Sequence, residues 1–122
     1  MLVGISVLAA NLGAGALATM GVLHLAVPGP FDRIIPRWVP GEPRAWTYLS
    51  GVAELASAAL LANERTRRLG GWAAAATIAA VYPANVQMAV DNPPTTALGS
   101  GSWLRLPLQV PMLVWALHRA RR

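Results

Sequence analysis

The first 27 residues, Met1 to Val27, contain no charged side chain. About 20 consecutive, mostly apolar residues are enough to cross the hydrocarbon core of a bilayer. A cleaved signal peptide would begin with basic residues and have a shorter apolar stretch, and the segment from Met1 to Ser6 has no Arg or Lys. This run therefore predicts a transmembrane helix.

The composition of the whole chain agrees with a membrane protein. Only 12% of the 122 residues are charged and 55% are hydrophobic, whereas a soluble domain carries about 25% charged residues. The chain has no cysteine, which excludes disulfides, thiolate metal sites and dithiol redox chemistry by its own side chains. The net charge is +5, but the arginines are spread over connectors and the tail, so no nucleic-acid partner is predicted.

The apolar character returns in three further stretches. We predict one all-α domain, residues 1–122, that is a polytopic membrane protein with a bundle of four transmembrane helices. The predicted spans are residues 2–27, 45–62, 70–90 and 104–117, followed by a basic tail at 118–122. The fourth span reaches only about 21 Å at 1.5 Å per residue, so its first residues are expected at the membrane interface.

A short interfacial helix is predicted between the first two spans. Phe31, Ile34, Ile35 and Trp38 recur at the spacing of one helix face. Such a helix would lie flat on the membrane with its charged residues toward water. Because Pro36 lies in the middle of the segment, an irregular proline-rich loop is the alternative.

The distribution of arginine predicts the orientation in the membrane. With four spans, both termini and the connector between spans two and three lie on one side. That side has six arginines near the span ends, against four on the other side, so the positive-inside rule places both termini in the cytoplasm. The basic tail can also attract anionic membrane lipid.

Each predicted span contributes a polar residue to the outer half of the membrane. The six residues are His24, Ser50, Glu54, Asn85, Arg105 and Gln109. Glu54 lies about nine residues into its span, where an acid costs about 2.5–3.5 kcal/mol. Its side chain should therefore face the bundle interior, and either stay neutral or pair with His24 or Arg105.

Two interpretations of this polar cluster remain open. Hydrogen bonds between helices commonly fasten membrane bundles, each contributing under about 2 kcal/mol, and the six residues could serve only that purpose. Their concentration on one side, with an ionisable acid among them, favours a ligand-binding or proton site. No metal site is predicted, because His24 and His118 fall at opposite membrane faces.

Five motifs resemble a known family over nearly the whole chain. They are GVLHLAVPGPFDRIIPRWVPGEP, YLSGVAELASAALL, TRRLGGW, VYPANVQMA and RLPLQVPMLVWAL, and their order is similar to that of the small bacterial DoxX-like integral membrane proteins. The resemblance implies a four-helix protein of the bacterial plasma membrane, with recurrent polar positions at the same six residues. It also implies association with a redox complex. Related branches that carry redox-active cysteine pairs differ from this chain.

The first functional hypothesis is a non-catalytic membrane subunit or anchor of such a complex. Its outer-half pocket would hold a small lipophilic ligand such as a quinone, and its partner would be a soluble or membrane redox protein. One alternative is a small, oligomeric proton-coupled transporter or export accessory protein. Another is a scaffold held by interhelical bonds alone. The sequence has no nucleophile elbow, phosphate loop or metal-ligand spacing, so no catalytic activity of its own is predicted.

Overall fold

The computed structural model describes residues 2–92, 95 and 97–121, and these are helical or lie in turns, without a β-strand. The chain is therefore all-α, as predicted. The helices are α1 (Leu2–Ala26), α2 (Gly29–Asp32), α3 (Pro43–Ala62), α4 (Arg67–Asp91) and α5 (Ala97–Arg121).

Among the described residues, three helices are long and apolar enough to cross a membrane. The candidate spans are Val7–Ala26, Pro43–Ala62 and Arg67–Asp91. At 25 residues, α5 has the length, but polar residues such as Arg105 and Gln109 interrupt its apolar sequence. It also begins earlier than the predicted fourth span at residue 104, because helix formation extends beyond the apolar run that defined that span. A fourth membrane span formed by α5 stays a prediction.

The long helices run antiparallel and pack in chain order, α1 on α3, α3 on α4 and α4 on α5. Glycines allow close approach at these crossings. A methyl group built on Gly51 of α3 would lie 2.8 Å from Cβ of His24 on α1. A methyl group on Gly71 of α4 would overlap the backbone of Ala120 on α5. Association of apolar helices in lipid depends on such backbone proximity.

The two ends of this arrangement are packed differently. We call the end with the α3–α4 connector the turn end and the opposite end, which carries α2, the α2 end. Toward the turn end the helices enclose a core of small and aliphatic residues: Ala14, Ala58, Leu61, Ala74, Ala75, Ile78 and Ala116.

At the turn end, Thr66 and Arg67 donate hydrogen bonds of 2.9 Å to the carbonyl oxygens of Leu60 and Leu61. Polar side chains thus satisfy carbonyl groups that end α3.

The helix between α1 and α3 is only one turn long. It ends at Asp32, and Ile34 and Ile35 lie in the turns that follow. Pro36 has no amide hydrogen and disfavours helical geometry in the preceding residue, which explains why the predicted helix face does not continue to Trp38. A position of α2 at a membrane surface stays a prediction.

Asp32 ties this segment to the start of α3. Its carboxylate accepts hydrogen bonds from the Thr47 hydroxyl at 2.6 Å and from Arg44 Nε at 2.7 Å. These bonds, with the positive charge of Arg44, hold the pKa of Asp32 below its ordinary value. The contacts place the residues after α2 over one end of the helical arrangement.

Candidate ligand-binding site

A cavity of about 570 Å³ lies between the four long helices. All six polar residues singled out in the sequence line it: His24 from α1, Ser50 and Glu54 from α3, Asn85 from α4, and Arg105 and Gln109 from α5. The antiparallel order of the helices explains this convergence, since residues late in α1 and α4 meet residues early in α3 and α5. Its volume is within the range typical of pockets for small organic molecules.

The remaining wall of the cavity is mostly apolar. Aliphatic and methionine side chains line it between the polar groups, among them Leu17, Met20, Ile78, Val81 and Met112. At the α2 end it is bordered by Phe31, Ile34 and Ile35. An apolar wall with a few convergent polar groups suits a lipophilic molecule with a small polar head.

His24 is held in a defined orientation. Its Nδ1 lies 2.6 Å from the carbonyl oxygen of Met20, and its ring stacks on Phe31 with 3.8 Å between the ring centroids. A carbonyl oxygen can only accept, so Nδ1 carries a hydrogen and donates it to Met20. In the neutral ring, Nε2 is consequently an acceptor.

Glu54 approaches His24 without forming a hydrogen bond to it. The separation between Glu54 Oε2 and His24 Nδ1 is 3.6 Å, and the Nδ1 hydrogen is already directed to Met20. Glu54 is only 6% exposed, and its Oε2 has no hydrogen-bond partner among the described residues. Of the two partners predicted for this acid, His24 is its neighbour, while Arg105 is exposed.

Gln109 presents a second buried acceptor. Its Nε2 lies 3.5 Å from the carbonyl oxygen of Ile78 on α4. The residue is 5% exposed, and Oε1 finds no hydrogen-bond partner within the described part of the chain. An unpartnered buried polar atom costs about 1–3 kcal/mol, and two such oxygens lie on this one cavity.

The other three predicted residues are less buried. Ser50 and Asn85 are half-buried, and Arg105 is exposed. In the antiparallel helices they lie nearer the α2 end than Glu54 and Gln109 do. Burial of the polar groups thus increases along the cavity: accessible donors lie toward the α2 end, and buried acceptors lie farther along the helices.

Several residues on the cavity were not expected from the sequence. Phe31 was assigned to a membrane-facing helix surface, but it stacks on His24. Thr47 and Thr77 also line the cavity, although no pattern distinguishes them from other helical threonines. The indole of Trp115 on α5 lies against Gly13 on α1, where the backbones of α1 and α5 pack less closely than those of neighbouring helices. In the sequence, this contact is indicated only by a glycine on one helix and a large aromatic residue on another.

No group of three or more His, Cys, Asp or Glu side chains that could hold a metal ion occurs in residues 2–92, 95 and 97–121. The polar atoms described above are instead spaced among apolar side chains from different helices. Such atoms are able to form hydrogen bonds with an organic molecule.

Comparison with known proteins gives one match. A family model described as "Domain of unknown function (DUF8561)" matches residues 13–120, which is most of the chain. No curated protein and no solved structure matches the chain. The matched range includes every residue of the cavity.

Proposed function

Since the chain belongs to the family described as "Domain of unknown function (DUF8561)", a description that names no activity, we propose a function from the cavity itself. The protein is a non-catalytic membrane subunit that holds a small lipophilic ligand with a hydrogen-bonding head group, such as a quinone. The ligand lies between the helices, and its head group contacts the six polar residues that line the cavity.

The observation that carries this proposal is the pair of buried, unpartnered oxygens on one cavity, Glu54 Oε2 and Gln109 Oε1. If these side chains only fastened the helices, they would be expected to bond one another or a neighbouring helix. Gln109 makes one long contact to Ile78, and Glu54 makes no hydrogen bond through Oε2. A ligand that bonds both oxygens would remove the unfavourable burial of each.

We place the protein in a bacterial plasma membrane with α5 as the fourth span and both termini in the cytoplasm. Besides the three apolar helices, α5 supports this placement because it exposes several large apolar side chains, including Leu104, Leu108, Val110 and Val114. Lipid is the solvent that suits such a surface. The excess of arginine at the turn end supports the orientation.

Holding a ligand fits the cavity better than transporting one. The alanine-rich core fills the arrangement toward the turn end, so a molecule in the cavity would have to pass between packed small side chains to reach that side. The resemblance to the DoxX-like proteins supports a redox protein as the partner of this subunit, and that partner stays a prediction. In a redox assembly, Glu54 would exchange a proton with the ligand's head group.

The proposal predicts a ligand that accompanies the protein through purification. A tryptophan at position 84 would extend from α4 into the cavity, since Ala84 lines it. We expect wild-type protein, extracted with its surrounding membrane in polymer-bounded discs, to contain a small lipophilic molecule detectable by mass spectrometry. Ala84→Trp should reduce its amount at least about tenfold, because the site's volume and contacts are lost.

The matched control is Ala80→Trp, one helical turn earlier on the exposed side of α4. It adds the same indole outside the cavity and should retain the ligand. Equal ligand content in both variants, or no enriched molecule in the wild type, would contradict the proposed function.

A further inference from the structure

We infer that the ligand offers a hydrogen-bond donor, a hydroxyl group, to the buried part of the cavity, and that this site therefore selects a phenol or hydroquinone over the corresponding quinone. The inference rests on the proposed function and specifies the chemical class of its ligand. It follows from which polar atoms around Glu54 and Gln109 are already bonded and which are not.

The orientation of the Gln109 amide is determined by its neighbour. The carbonyl oxygen of Ile78 lies 3.5 Å from Nε2, and a carbonyl oxygen only accepts. A flipped amide would place two acceptor oxygens against each other. The amide nitrogen therefore faces Ile78, and Oε1 is left as the atom without a partner. That atom can be satisfied only by a donor.

Glu54 adds an acceptor in either protonation state. An ionised carboxylate presents two acceptor oxygens, and a protonated carboxyl group presents one acceptor oxygen and one hydroxyl donor. The nearest donor, Nδ1–H of His24, is directed to Met20. Neutral His24 contributes a further acceptor through Nε2.

Two hydroxyl donors near these acceptors are already engaged elsewhere, and the hydroxyl of Ser50 lies one helical turn nearer the α2 end. Thr47 donates to Asp32 at 2.6 Å, and Thr77 donates to the carbonyl oxygen of Ala73 at 2.8 Å. The buried wall thus presents two unpartnered acceptor oxygens, Glu54 Oε2 and Gln109 Oε1. The hydroxyl of Ser50, the amide of Asn85 and the guanidinium of Arg105 lie nearer the α2 end. A quinone carbonyl placed against Gln109 Oε1 would leave two acceptors facing each other. A hydroxyl group at the same place would supply the missing donor.

Three probes of almost equal size test this inference: a decyl-substituted benzoquinone, the corresponding hydroquinone, and the dimethyl ether of that hydroquinone. Their dissociation constants are measured anaerobically by titration calorimetry with the full chain in lipid nanodiscs. We expect the hydroquinone to bind at least about tenfold more tightly than the other two. Sites built to bond a hydroxyl group reject analogues without it.

The variant Gln109→Met removes the acceptor oxygen and keeps a side chain of similar length. It should weaken hydroquinone binding about tenfold and leave binding of the dimethyl ether unchanged. Gln87→Met is the matched control, because Gln87 bonds Asp91 within α4 and does not line the cavity. It should leave all three dissociation constants unchanged.

The outcomes separate the inference from the function on which it rests. If the quinone or the dimethyl ether binds as tightly as the hydroquinone, the hydroxyl preference is wrong and the ligand-holding function stands. Loss of hydroquinone and ether binding to the same extent in Gln109→Met would also overturn the preference. If none of the probes binds to folded wild-type protein, the proposed function fails for this class of ligand, and the inference fails with it.

Discussion

Replacing Gly71 by leucine is expected to destroy the stable packing of α4 on α5. A Cβ atom at this position would overlap the backbone of Ala120, and it would lie 2.8 Å from the carbonyl carbon of Arg119. Backbone atoms cannot rotate away as a flexible side chain can, so the helices must separate. Overpacking of this kind costs about 3 kcal/mol or more, and it also removes the close approach on which helix association in lipid depends.

The measurement is thermal unfolding in a mild detergent, followed by tryptophan fluorescence. Gly15→Leu is the control, because Gly15 on α1 is exposed and an added Cβ would meet no atom within 4 Å. We expect Gly71→Leu to unfold far below the wild type and Gly15→Leu to unfold near it. Similar melting temperatures for the two variants would contradict the α4–α5 packing.

Glu54→Met is expected to stabilise the ligand-free protein, although it replaces a buried acid at the centre of the site. The side chain is nearly fully buried, and its Oε2 has no hydrogen-bond partner among the described residues. Replacement by an apolar side chain of similar length removes an unsatisfied polar group, which is expected to be worth about 1–3 kcal/mol. Such a gain in stability with a loss of function is common where a site is built for a ligand.

Thr47→Val, on the same helix, is expected to lower the stability of the protein. Thr47 is 1% exposed, and its hydroxyl donates to Asp32, so the substitution breaks a bond that is already made and should destabilise the protein by about 1 kcal/mol. Equilibrium unfolding of both variants without ligand distinguishes the two interpretations of the polar cluster. If Glu54→Met lowers stability as Thr47→Val does, Glu54 serves to fasten the helices.

The convergence of the six polar residues could be predicted from the sequence. Together they occupy all four apolar stretches or their edges, and alternating helix direction brings residues from opposite ends of successive helices to one level. The helical class followed from the long uncharged runs in the same way. Neither step required knowledge of which side chains touch.

The state of the hydrogen bonds could not be predicted. Whether His24 bonds Glu54 depends on the carbonyl oxygen of Met20, one turn earlier, which takes the same donor. The stacking of Phe31 on His24 depends on where α2 ends. The helix is shorter than predicted because Pro36 disfavours helical geometry before it. Likewise, the full extent of α5 could not be predicted from apolar residues, because polar residues such as Arg105 and Gln109 interrupt its sequence.

The most direct test of the central claim is a structure of the full chain determined in native membrane lipid. We predict non-protein density in the cavity between α1, α3, α4 and α5, with an atom within hydrogen-bonding distance of both Glu54 Oε2 and Gln109 Oε1. A structure in which these two side chains bond directly to each other, in a cavity collapsed around them, would contradict the claim that this protein holds a ligand.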